Sequence, residues 1–221
     1  MRKTGISVLT ILTMSFLVLS CKGLTSSENH EYVDLGLSVK WATCNIGANN
    51  PEEAGDLLAW GETETKNEYR WSSYKYCKGT SQTLTKYCTD QKFGKTDNKT
   101  LLEKEDDAAQ VKWGGKWRMA TMDELKELIE KCDWIPTTQN GVEGYIVKSK
   151  LNGNSIFLPS LPEPGERDDE NHNKSWGCGY YWFSTLWNNS PCELFFQGAR
   201  DIIDYGGGMR YLGKAIRPVH P

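Results

Sequence analysis

Histidine is scarce. The chain of 221 residues holds three, His30, His172 and His220, scattered along its length. No C-x-x-C pair or Cys/His cluster with zinc spacing accompanies them, which argues against a thiolate-type metal site. There is no G-x-S-x-G elbow and no glycine-rich phosphate loop, and "GCG" at 177–179, "FST" at 183–185 and "GGG" at 206–208 do not replace them. No cofactor is therefore expected, and no catalytic residue is assigned. No apolar run reaches the roughly 20 residues needed to cross a bilayer as a helix. No Pro-rich linker, charge block or repeat divides the chain after about residue 30, so residues 31–221 read as one domain.

The first twenty residues carry Arg2 and Lys3, then "ISVLTILTMSFLVLS", directly before Cys21. A charged n-region followed by a short apolar h-region is an export signal, removed on maturation. "VLSC", Val18 to Cys21, resembles a bacterial lipobox, although Val18 stands where leucine is commoner. The resemblance implies a diacylated Cys21 as the first mature residue, with residues 21–30 as a tether. The competing reading is ordinary cleavage near Ser20 that leaves Cys21 a thiol. Acyl chains at Cys21 would bind a membrane by about 0.8 kcal/mol per buried methylene, anchoring the protein without spanning. Lys22 stands where an aspartate retains lipoproteins at the inner membrane of enterobacteria, which by resemblance implies the outer membrane, on its periplasmic or its outer face. Without residues 1–20 the chain has 24 basic against 29 acidic residues, a net charge of −5. A mildly acidic chain is a poor nucleic-acid binder.

The remaining cysteines are Cys44, Cys77, Cys88, Cys132, Cys178 and Cys192. An oxidising envelope permits disulfides, and "YCKGTSQTLTKYC", two Tyr-rich segments returning through a polar turn, points to Cys77 with Cys88. "YVDLGL" and "VKWATC" have period-two character and read as strands. An apolar run at Leu57–Trp60 ends at Gly61, and residues 62–100, poor in aliphatic side chains, read as a long ordered loop with short strand pieces. A short helical stretch through about Val111 stops at Gly114–Gly115. "GYIVKSKLNGNSIFLP" reads as a hairpin with a type I′ turn at Asn152–Gly153. Residues 159–178 form a polar loop broken by Pro162 and Pro164. "GYYWFSTLW", "CELFFQGARDIID" and "MRYLGKAIRPV" are strand-like.

The main helix spans about 121–132. Thr121 and Glu124 have the T-x-x-E spacing of a capping box, and Asp123 and Glu124 sit at the positive end of the helix dipole. Met122, Leu125, Leu128, Ile129 and Cys132 share one face, leaving Lys126, Glu127, Glu130 and Lys131 to water. Every carboxylate here serves the helix. Many short antiparallel strands with one main helix make an α+β fold.

The stretches "YVDLGLSVKWATCNIGA", "GDLLAWGET", "DDAAQVKWGGKWRMATMDELKELI", "GNSIFLP", "GYYWFST" and "IRPV", in this order, resemble the Fibrobacter-type major paralogous domain of exported lipoproteins in Bacteroides-like bacteria. More distantly the chain is similar to sulfatase-modifying-factor and C-type-lectin-like folds, where an "R-[LM]-P-T-x-x-E" segment starts a helix; here Ala120 replaces the proline. The resemblance implies a single C-type-lectin-like domain with variable binding loops, and fold analogy goes no further than that.

Arg118 and Arg217 lie in apolar contexts and are expected to pair with Asp106, Asp107 or Asp34, because an unpaired buried guanidinium is expensive. "PEPGERDDENHN" and "LWNNSP" resemble the Glu-Pro and Trp-Asn elements by which lectin-like domains hold calcium and sugar hydroxyls. Glu163, Glu166, Asp168, Asp169, Glu170 and Asn188 are the oxygen donors such a cation would use; the match lacks the Glu-Pro-Asn triplet, and a solvated acidic loop is the better account of them. Trp41, Trp60, Trp113, Trp117 and Trp182 sit at core positions. Trp176, Tyr181 and Trp187 flank polar loops, where core or loop-anchoring roles are the leading alternative, and with Asn188 and Asp168 they form the candidate ligand-binding set. The expected function is a lipid-anchored envelope protein that binds a glycan or a protein. The alternatives are an assembly component of an envelope complex, or an enzyme related to formylglycine-generating proteins, for which no positioned cysteine pair or base is evident.

Overall fold

The structure is a computed structural model and describes residues 30–161, 178–197 and 202–221. The first strand, β1 (Tyr32–Val33), runs antiparallel to β2 (Lys40–Ala42) with Val33 opposite Trp41. The apolar run at 57–60 stays outside any sheet: Leu58 makes an isolated bridge to Lys214, and Trp60 N–H donates to Arg210 O at 2.8 Å. Residues 62–100 hold 3-10 turns at Trp71–Ser73 and Gln91–Phe93 and a bridge between Cys77 and Leu84. Cys77 and Cys88 do not form the expected disulfide. The αL backbone of Tyr87, φ 57°, turns the chain just before Cys88. Cys77 Sγ donates to Trp71 O and Cys88 Sγ to Asp90 O, and both thiols stay free.

Asp107 caps α1 (Ala108–Trp113) by accepting from Gln110 N–H, and Gly114, φ 67°, ends it. β3 (Arg118–Met119) then leads into α2 (Met122–Lys131), whose capping box is complete. Leu125 and Leu128 are fully buried, with Met122 and Ile129 packed beside them. Each buried leucine contributes about 1.5–3 kcal/mol. Glu124 also takes Arg118, in a two-pronged contact that includes Nη1 to Oε2 at 2.8 Å. Burial opposes ionisation of Glu124, but Arg118 and the Thr121 N–H outweigh it and hold its carboxyl below the usual range. Arg118 thus pairs with the carboxylate at the start of the helix it precedes. Asp107 is occupied by Met119 N–H, and Asp106 by other groups.

β4 (Cys132–Gln139), β5 (Val142–Ser149) and β6 (Ser155–Pro159) form an antiparallel meander. The type I′ turn belongs to Asn140–Gly141, both at positive φ (49° and 83°), between β4 and β5. β5 and β6 do form the expected hairpin, but through residues 150–154. There only Gly153 has positive φ, and Asn152 Nδ2 donates to Asp34 O. Sequence reading passed over β4, which carries Pro136; proline is tolerated because β4 is the edge of its sheet.

β7 (Cys178–Trp187), β8 (Ser190–Gln197) and β9 (Ile202–Gly207) form a second meander, with Asn188 and Asn189, φ 49° and 65°, turning β7 into β8. The final strand, β10 (Pro218–His220), lies between β2 and β3, so the last strand joins the first sheet in the order β1-β2-β10-β3. The fold is mostly antiparallel β, in three small sheets, with two α-helices among the described residues. None of the described helices is long and apolar enough to cross a membrane.

Two apolar clusters fill it. One packs Leu125 and Leu128 of α2 against Trp41, Tyr145, Leu194 and Phe196. The other is aromatic, with Trp60, Tyr74, Tyr76, Tyr87, Trp182 and Tyr211 beneath residues 62–100. Its tryptophans cross-link distant segments: Trp60 Nε1 donates to Phe183 O at 2.7 Å and Trp182 Nε1 to Leu58 O at 2.9 Å. Arg217 has no carboxylate partner among the described residues. It is buried and donates to Asn45 Oδ1, Ala42 O and Thr43 O, fastening the end of the chain to β2.

Removing the cap by Thr121→Ala is expected to lower stability by about 1 kcal/mol. Glu124→Ala also strips Arg118 of its partner and should cost roughly 2 kcal/mol or more. Urea denaturation of both variants checks the order; equal losses would contradict the double role of Glu124.

Candidate functional site

Residues 62–100 have few aliphatic side chains to bury, and tyrosines do that work with their hydroxyls bonded. Tyr74 donates to Trp60 O at 3.0 Å, and Tyr69 to Leu57 O. Tyr87 Oη donates to Asp106 Oδ2 at 2.7 Å, and Tyr76 donates to the other carboxylate oxygen. Lys86 Nζ reaches Asp106 at 2.5 Å, and Lys75 Nζ reaches it at 3.3 Å. Asp106 itself is 2% exposed. Burial alone would raise its carboxyl, but Lys86 and the two hydroxyls prevail and hold it at about 2. The same contacts push both tyrosines up: burial first, then the adjacent Asp106 carboxylate.

Tyr87 is further held by Asp97, whose carboxylate accepts from the N–H groups of Tyr87, Cys88 and Lys99. Facing this segment is the β7–β8 turn. Asn189 Oδ1 accepts from Thr89 N–H at 3.0 Å and from its hydroxyl at 3.1 Å. A backbone N–H can only donate, so this contact fixes which end of the carboxamide is oxygen. Its Nδ2 is left buried without a hydrogen-bond partner.

Arg210 lies between the two segments. It is 2% exposed, and Nη2 donates to Tyr87 O at 2.7 Å and to Asn189 O at 2.8 Å. Its guanidinium carbon sits 5.4 Å from the centre of the Trp60 ring, a cation–π contact. Nη1 is buried and makes no hydrogen bond of normal geometry, although the Tyr74 hydroxyl lies beside the guanidinium. Burial draws the group below its usual range and Tyr74 opposes the shift; a guanidinium stays charged in either case. Among the described residues no carboxylate forms an ion pair with it. Buried Lys214, by contrast, pairs with Glu193.

Asn189 and Arg210 line a cleft of about 130 Å³, together with Trp71, Phe93, Asn188 and Met209. Trp71 stands edge-on to Tyr211, with ring centres 5.1 Å apart, and Met209 is half exposed. Other clefts lie among the described residues. One of about 440 Å³ beside His30, Cys44 and Trp113 has no unpartnered buried donor in its lining, and neither do two smaller ones, beside Phe157 and beside Leu102. The Arg210 cleft therefore combines aromatic side chains and an exposed amide with two residues that each carry a buried, unsatisfied donor, an arrangement suited to holding an acceptor-rich ligand. None of the described residues forms a group of three His, Cys, Asp or Glu fit for a metal ion.

Of the expected ligand set, Asn188 is exposed and lines this cleft, and Trp187, 40% exposed, precedes it on the same turn. Tyr181 is not a surface residue. It is 1% exposed, and its hydroxyl donates to Pro159 O at 2.8 Å because its position on β7 faces the core. Trp176 and Asp168 lie outside the described residues, as do Glu163, Glu166, Asp169 and Glu170. Sequence reading missed Trp71, Phe93, Asn189 and Arg210. A signal for Arg210 exists: an arginine inside the apolar run "MRYLG", the same context that marked Arg118 and Arg217.

No family model, curated protein or solved structure matches the chain.

Because the Asp106 carboxyl is depressed from about 3.9 in the unfolded chain, its stabilisation is full above about pH 5 and is lost as pH falls towards 2. The shift corresponds to roughly 2 to 3 kcal/mol. Urea unfolding of the wild type should show this loss between about pH 5 and pH 2, and Asp106→Asn should lack that component while being less stable at neutral pH. An identical acid profile in the two proteins would rule out Asp106 as the group responsible.

Proposed function

We propose that this chain is a lipid-anchored envelope protein carrying a C-type-lectin-like domain of the Fibrobacter-type major paralogous kind, and that the domain binds glycan. The observation that carries the reading is the Arg210 cleft. Aromatic faces at Trp71 and Phe93 stand beside the amides of Asn188 and Asn189, the pairing of apolar ring face and hydrogen-bonding group that a sugar presents in reverse. The cleft has room for one edge of a sugar ring, so a longer glycan would rest on the adjoining surface, where Trp187 is exposed. Export and attachment rest on the charged n-region, the apolar h-region and Cys21.

The lectin-like reading draws support from the capped helix that follows "RMA", and from the joining of the first and last strands in one sheet, which leaves loops free to carry specificity. The outer membrane follows by resemblance from Lys22 after Cys21.

Two measurements test this. In cells, Cys21→Ser should abolish labelling by a palmitate analogue and release the protein from the membrane fraction; retention of both would end the lipoprotein reading. On a glycan array the mature chain should bind a subset of glycans. Trp187→Ala with Asn188→Gly, which keeps the positive φ available, should weaken that binding at least about tenfold, about 1.4 kcal/mol. A blank array, with an envelope protein captured by crosslinking in membranes, would favour an assembly role instead.

A further inference from the structure

Building on the glycan-binding reading, we infer that the Arg210 cleft selects acidic sugars, and that Arg210 and Asn189 hold the carboxylate of a uronic acid residue. Both unpaired groups in its lining are donors: a guanidinium Nη1 and a carboxamide Nδ2. Neutral hydroxyls satisfy donors, but they do not answer a buried positive charge. The other groups against Arg210 are the carbonyls of Tyr87 and Asn189, the Trp60 ring and the Tyr74 hydroxyl, and the Asp97 carboxylate acts on it only from a distance without an ion pair, so the cleft keeps a positive charge in a low-dielectric setting, where a carboxylate is worth most. A planar carboxylate offers one oxygen to each donor. The sugar ring bearing it would then lie against Trp71 or Phe93, with its hydroxyls towards the exposed Asn188.

The contrast with Arg217 shows that burial alone does not make such a site. Arg217 also carries a buried nitrogen without a partner, Nη2, but it lines none of the clefts described above and is wrapped by Asn45, Ala42 and Thr43. The whole chain disfavours polyanions at long range, since its mature net charge is −5. Acid selection would therefore be local to the cleft and little weakened by salt, because a buried contact is screened less than a surface one.

The test is calorimetric titration of the mature chain with trigalacturonate and with the same trisaccharide after its carboxyl groups are reduced to primary alcohols. The acid form should bind about 10- to 100-fold more tightly, the effect of two charge-assisted hydrogen bonds. Asn189→Asp accepts the positive φ and keeps an oxygen for Thr89, but it replaces the donor with a second acceptor; it should erase the preference for the acid. Thermal unfolding checks that this variant is folded, and Asn189→Gly, also compatible with the turn, removes the donor without adding charge and should reduce the preference. Equal binding of acid and reduced forms would overturn acid selection and leave glycan binding standing. Binding of neither form, with a blank array, would overturn both. Competition by acetate as effective as trigalacturonate would overturn recognition of the sugar.

Discussion

The buried carboxylate of Asp106 gathers two tyrosine hydroxyls and two lysine ammonium groups from residues 75 to 87, and a segment with few aliphatic side chains holds a fixed course because of it. Hydrophobic burial cannot organise such a segment alone. Tyrosines supply apolar rings, but every buried hydroxyl then needs an acceptor. Asp106 accepts from two of them, and Lys86 and Lys75 balance its charge. The αL turn at Tyr87, steadied by Asp97, follows from that anchoring, and it presents the Tyr87 carbonyl to Arg210. One wall of the cleft is therefore built from the carboxylate outward.

The other wall depends on a tight turn. Two asparagines at positive φ reverse β7 into β8, and the inner one commits its oxygen to Thr89. That contact leaves the carboxamide to present its nitrogen elsewhere. Arg210 closes the arrangement by bridging both walls through their carbonyls. Burying a guanidinium on neutral acceptors costs free energy that a fold would ordinarily avoid. Arg217 incurs a similar cost and uses it to lock the chain end onto β2, a structural use. At Arg210 the cost goes with an open cleft, which is where a charged ligand gains most.

Features set by neighbours in the chain are legible from the order of the residues. The capping box of Thr121 and Glu124, the buried stripe of Leu125 and Leu128, and the stop at Gly114 all involve residues within a few positions of each other. Alternation marks β7, but not which of Tyr180 and Tyr181 faces inward, because a register slip of one residue exchanges the two faces. Asn152–Gly153 and Asn140–Gly141 are equally good turn dipeptides. Only the contact of Asn152 with Asp34, more than a hundred residues away, decides that the first belongs to a longer connection.

Spacing and composition suffice for the helix and its cap and for the β-rich character. The rest required long-range packing. Arg118 found its partner in Glu124, Cys77 and Cys88 stayed apart, Tyr181 entered the core, and Arg210 came to line a cleft. The contacts that build that cleft join Thr89 to Asn189 and Tyr87 to Arg210, 100 and 123 residues apart. No local pattern encodes such distances; the packing of aromatic rings around one buried carboxylate does.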